Sequence, residues 1–166
     1  MSKPLLADAF AHHVWATLQL IDVCLALNDA QLASAVPGTY GSILQTMRHL
    51  VGSDTFDVYV LSQGKTAPID EELMVLGDLR IVMESNGAAW SRLLEEYRDP
   101  DVVVQEVDPG DGYQRDAPVG LRLAGTLQHG TDHRSQVCTA LTALGVEPPR
   151  IDVLDYGMQS GRVVEI

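Results

Sequence analysis

Apolar side chains return at steps of three and four along four separate stretches of about twenty residues each, and that period commits most of the chain to packed amphipathic helices. Leu6, Phe10, Val14, Leu18, Ile21 and Leu25 outline a first helix from Leu5 to Leu27, with Asn28-Asp29 at its end. The loop Pro37–Ser42 offers Thr39 or Ser42 as N-cap of a second helix that runs to Ser62 on a stripe of Ile43, Leu44, Met47, Leu50, Val51, Val58 and Leu61. Asp70-Glu71-Glu72 supply the negative charge that suits a helix start. The third helix then follows Leu76, Leu79, Met83, Asn86, Trp90, Leu93 and Tyr97 until Asp99-Pro100 stops it. A fourth runs from Leu121 to Leu144, with Gly145 placed to close it and Pro148-Pro149 barring continuation.

Between the third and fourth helices the pattern changes. Val102–Val107 is rich in β-branched residues, Asp108–Gly112 is turn chemistry, and Tyr113 to Ala117 can return as a strand. The tail from Arg150 to Ile166 carries no strong period and reads as an extended arm. The expectation is an all-α fold: a four-helix bundle with a short β-hairpin between the third and fourth helices, one domain over residues 1–166.

Charge narrows the partners. A net charge of −12 repels nucleic-acid backbones, leaving at most a local basic patch near Arg122 and Arg134. Cys24 and Cys138 are too few for a disulfide scaffold and read as reduced thiols in helices. Asp8, His12 and His13 interrupt any apolar run at the N-terminus, so no signal peptide is expected, and no stretch approaches the ~20 apolar residues of a membrane span. A cytoplasmic protein follows as the default.

The chemistry concentrates in Leu127–Val137. His129 and His133 stand four apart, so both imidazoles fall on one helix face. Continuing from His133 by threes and fours reaches Val137, Ala140, Leu141 and Leu144, which turns the pair into the bundle, where metal sites of this architecture are built. A third imidazole would leave one coordination position open, as in catalytic zinc sites. Spacing alone leaves His49, His12 and His13 open for that role, since His49 lies off the main stripe of its helix and aligns instead with Phe56 and Val60. The plainer reading of His12 and His13 is that of surface or boundary residues. Arg134 reads as an anchor for substrate or fold, or as an ordinary interhelical ion pair. Gln136 reads as a residue that orients a ligand imidazole or binds substrate, or equally as a surface polar residue. Asp132 reads as solvated. Asp54 sits inside an apolar stripe and therefore needs a partner, an arginine or a dimer contact. Phosphate loops, Ser-His-Asp patterns and Cys-x-x-Cys sites are absent.

Met47-Arg48-His49-Leu50 in the second helix and His129-Gly130-Thr131-Asp132-His133-Arg134-Ser135-Gln136-Val137 in the fourth resemble the DinB/YfiT-like superfamily, a group classed as metalloenzymes; Asp152–Tyr156 is similar to its tails. The resemblance implies a four-helix bundle and a divalent metal held by His49, His129 and His133. It also implies frequent homodimers and, in some relatives, thiol-dependent transfer or isomerisation using a low-molecular-weight thiol. Three neutral imidazoles suit Zn²⁺ or Ni²⁺. The reading is a metal-dependent enzyme that activates a thiol or water for a small-molecule substrate, with no catalytic residue beyond the ligands assigned. Its rival is a non-catalytic metal-binding or stress-associated interaction protein, in which Asp54 or a tail residue would close the fourth position.

Overall fold

The computed structural model describes residues 3–108 and 110–164. Four long helices form the bundle: α1 (Ala7–Cys24), α3 (Ile43–Leu61), α4 (Leu76–Glu96) and α5 (Val119–Ala143). Two short helices join them, α2 (Asp29–Leu32) after α1 and α6 (Val153–Gln159) in the tail. The expected hairpin is present as β1 (Val103–Val107) and β2 (Gln114–Pro118), antiparallel, with Gln105 opposite Asp116 at its centre. Pro109, in the expected turn, lies outside the described residues, as do the last two residues of the tail.

Local chemistry explains most boundaries. Ser42, the second of the two N-cap candidates, accepts from the Gln45 amide while Gln45 Oε1 accepts from the Ser42 amide, a reciprocal capping box that starts α3. Asn28 and Gln31 repeat the device at α2, so the residues expected only to end the first helix also begin a second. Gly145 has φ +72°, and the Val146 amide reaches back to the Leu141 carbonyl, which closes α5 as expected.

Two expectations are corrected. Asp70–Glu72 does not open the third long helix; Glu71–Leu73 is a single 3₁₀ turn, and Met74 and Val75 are extended before α4 begins at Leu76. Ile69 and Met74, on either side of that turn, both pack against the apolar core. The tail is not an extended arm throughout. Asp152 caps the Leu154 amide, and α6 lays Tyr156 against His12 and Trp15 of α1. A seven-residue helix containing Gly157 is too short to show a period.

Two apolar clusters reveal the chain directions. One joins the end of α1 (Leu20, Ile21, Cys24), the starts of α3 and α4 (Met47, Leu50, Leu79, Met83) and the end of α5 (Val137, Leu141). The other joins the opposite ends, with Phe10, Val58, Leu61, Trp90, Leu93 and Leu123, and Val104 of the hairpin closing it. Helices α1 and α5 therefore run one way, and α3 and α4 the other. Helix α1 packs on α4 and α5, α3 packs on the same two, and consecutive long helices α1 and α3 stand across the bundle from each other. Because α3 and α4 are parallel, residues 62–75 must return along the bundle, and they do so against α3.

Between the clusters lies a belt of buried polar groups. Asp54 of α3 accepts from His13 Nε2 of α1 at 2.8 Å, from Asn86 Nδ2 of α4 at 2.8 Å and from Trp90 Nε1 at 3.1 Å. Arg134 Nη1 of α5 lies 2.9 Å from His13 Nδ1 and 3.3 Å from Thr17 Oγ1. A guanidinium only donates, so Nδ1 of His13 presents its lone pair and Nε2 carries the proton given to Asp54. His13 is thus a core residue and not a boundary one. Asp54 finds a histidine, an amide and an indole of its own chain where an arginine or a dimer contact was expected. Arg134 is buried and, among the described residues, pairs with no carboxylate; burial pulls its guanidinium down to about 10, still cationic at neutral pH.

Candidate metal centre

The seam between α3 and α5 carries His49 on one side and His129 and His133 on the other. Histidine Nε2 of residue 49 stands 3.3 Å from Nε2 of residue 129. One ring nitrogen from each of the three histidines lies within 4.8 Å of the others. His133 is buried, and His49 and His129 are half-buried. The displacement of His49 from the main stripe is what makes this possible: α3 turns that stripe to the core and a second face to α5.

Their hydrogen-bond partners fix the ring faces. Gln136 Oε1 accepts from the Tyr40 amide at 2.8 Å and lies 3.2 Å from His133 Nδ1. That oxygen can only accept, so Nδ1 of His133 is the protonated nitrogen and Nε2 keeps its lone pair. On His49, Nδ1 has Ser53 Oγ at 3.5 Å and Glu71 Oε1 at 3.7 Å, which favours its proton on that side and the lone pair toward His129. Tyr40 stacks on His49 with ring centroids 4.1 Å apart and planes 4° from parallel, and meets His133 edge-on.

Burial first, and then the neighbouring imidazoles of His133 and His49, push His129 down to about 4. Burial also lowers His133, opposed by its bond to Gln136. Both rings are therefore neutral donors at pH 7. The donor set fits a divalent cation: for metal–nitrogen bonds of about 2.0–2.1 Å in tetrahedral geometry, ligand nitrogens stand roughly 3.3 Å apart, the spacing found between His49 and His129.

Arg134 and Gln136, singled out in the sequence, part company here. Gln136 touches the site through His133. Arg134 does not face it; its guanidinium lies behind α5, packed with His13 against Gly130. Asp132 is exposed as expected, and His12 turns away to the Ile151 carbonyl. Neither Cys24 nor Cys138 joins the site; burial pushes the Cys24 thiol up to about 12 and raises Cys138 as well.

Three neighbours were missed. Tyr40 lies in a loop without period, and only an aromatic among turn residues hinted at it. Glu71 was read as a helix opener. Gly52 carried no signal, yet a Cβ there would fall 2.1 Å from Glu71 Oε2, so its bare backbone admits that carboxylate beside His49. A cavity of about 590 Å³ opens beside the histidines, with His49, Glu71 and His129 at one end and Asp57, Thr126 and Arg122 toward the hairpin.

The DinB family model matches residues 1–162. The chain belongs to the DinB family. No match was found among curated proteins. Membership in the DinB family and the convergent histidines are together compatible with a metal-binding protein. Among the described residues no helix is long and apolar enough to cross a membrane.

Proposed function

We propose that this DinB family member is a metal-dependent enzyme in which His49, His129 and His133 hold a divalent cation, Zn²⁺ or Ni²⁺. A bound cation would make a thiol or a water that reaches it acidic enough to ionise near neutral pH. The observation that carries this reading is the convergence of three imidazole nitrogens within 4.8 Å, with Gln136 bonded to the opposite ring nitrogen of His133 and Ser53 and Glu71 lying 3.5 Å and 3.7 Å from that of His49. The chain's own part is positional. Gln136 and Glu71 hold the ring orientations, Tyr40 covers one face of His49, and the cavity beside His129 receives the substrate. Asp54, the residue best placed by sequence to close a fourth position, is committed to His13, Asn86 and Trp90, which supports an open site.

Family resemblance favours transfer of a low-molecular-weight thiol to an electrophile over hydrolysis. The acidic surface supports a small-molecule substrate and no nucleic acid, and a homodimer and a cytoplasmic setting belong to the same proposal. The test is calorimetric titration of metal-free protein with Zn²⁺ and Ni²⁺, followed by conjugation of a thiol to 1-chloro-2,4-dinitrobenzene. One saturable site per chain with turnover is expected, and His133→Ala should abolish both. Absence of saturable binding would end the proposal; binding without turnover across a panel of thiols and electrophiles would favour the non-catalytic alternative.

A further inference from the structure

Asp57, Arg115 and Arg122 line the hairpin end of the cavity, and both arginines bond to Glu106. Arg122 stands seven residues before His129 on α5, and Asp57 eight residues after His49 on α3. At 1.5 Å per residue these are roughly 10 Å and 12 Å from the histidines along the helix axes. Burial above all pushes the Asp57 carboxyl up to about 6, so it is ionised at pH 7.5. Two guanidinium groups then balance two carboxylates, and this end of the cavity favours no net charge in an occupant.

The hydrogen bonds do not balance in the same way. Arg122 Nη1 donates to Glu106 Oε2 at 2.6 Å, and Nη2 donates to the Val104 and Arg115 carbonyls, both at 3.0 Å. That leaves Nε, a buried N–H with no acceptor among the described residues, on a side chain only 6% exposed. Asp57 is the complementary case. Its Oδ2 accepts from Thr126 Oγ1 at 2.7 Å, and its Oδ1 accepts from no group among the described residues. The charge of Arg122 is felt at Asp57, where it opposes the effect of burial, yet no hydrogen bond or ion pair among the described residues joins the two side chains. A buried donor without an acceptor is costly, and a group that accepts from it removes the cost.

We propose that Arg122 and Asp57 form a subsite for a neutral carboxamide of the substrate: the amide oxygen accepts from Arg122 Nε, and the amide N–H donates to Asp57 Oδ1. The proposal rests on the reading of this cavity as the substrate cavity. An amide carries its acceptor and its donor on separate atoms of one plane, so it answers both groups together. An ester supplies the acceptor alone, and an ammonium or a carboxylate adds a charge that the four side chains do not balance. Thr126 keeps the second carboxylate oxygen of Asp57 occupied and so leaves Oδ1 for the occupant.

The test compares occupants of similar length by chemical-shift titration of metal-free protein at pH 7.5. Hexanamide is expected to bind about ten-fold more tightly than methyl hexanoate, the scale of one hydrogen bond to a charged group, and more tightly than hexanoate or hexylammonium. Asp57→Leu removes the acceptor while Thr126 keeps its bond to the Arg122 carbonyl, and it should bring amide and ester within about two-fold. In the unsubstituted protein the Arg122 Nε–H resonance should move downfield as hexanamide is added. No saturable binding of hexanamide, equal affinity for the ester, a preference for either charged compound, an unresponsive Nε–H or an amide advantage that survives Asp57→Leu would each overturn the subsite. With Zn²⁺ added, 6-mercaptohexanamide and methyl 6-mercaptohexanoate separate this proposal from the metal site. Binding of both thiols strengthened by Zn²⁺ with no preference for the amide removes the subsite and leaves the metal proposal standing. An amide preference that Zn²⁺ strengthens for neither thiol removes the metal proposal and leaves the subsite.

Discussion

His129 is the residue whose protonation most directly couples the site to the fold. In the unfolded chain its imidazole takes a proton near the ordinary value of 6.5; in the folded protein burial and two neighbouring imidazoles delay this to about 4. Between those values the unfolded state binds more protons, so stability of the metal-free protein falls as pH is lowered through that window. His133, shifted the same way, steepens the loss. Melting temperatures from pH 7.5 to 4.5 should therefore drop, and His129→Gln should flatten that drop. An unchanged slope in the variant would show that this ring is not desolvated as described.

At the scale of elements, the packing of α5 on α1 depends on an absent side chain. A Cβ on Gly130 would lie 2.4 Å from His13 Cε1 and 2.8 Å from Arg134 Nη1. Gly130→Ala should thus destabilise by roughly 1–3 kcal/mol, the usual cost of overpacking, despite alanine's better helix propensity. Denaturant unfolding measures it, and a neutral or stabilising result would contradict the close approach. The four long helices, the hairpin and the fourth-helix histidine pair were legible in the sequence because each rests on a local period or turn chemistry. Residues 62–75 were not, since their course follows from α3 and α4 being parallel, which no local pattern encodes. Glu71 was misread for that reason: in isolation an acidic run suits a helix start, and only the return path brings it to His49. His13 and Asp54 were misjudged similarly. Each looks anomalous on its own helix and is satisfied only by groups from the others.

Over the whole molecule, charge is lopsided: 23 acidic residues oppose 11 basic ones. Several basic side chains are already spent, Arg115 and Arg122 on Glu106 and Arg80 on Asp22 and Glu84. Self-repulsion should weaken the compact state at low ionic strength, where the screening length is about 30 Å at 0.01 M against about 8 Å at 0.15 M. Raising NaCl over that range should increase the melting temperature by a few degrees; a fall would mean that the surface ion pairs outweigh the repulsion. The buried polar belt acts at this scale as well. Sliding any one long helix by a single turn, about 5.4 Å, would cost the Asp54 carboxylate one or more of its donors or strip Arg134 of its acceptors on α1, a penalty that greasy contacts alone would not impose. Axial registry of the four rods is locked at mid-height, and with it the alignment that keeps His49 level with His129 and His133.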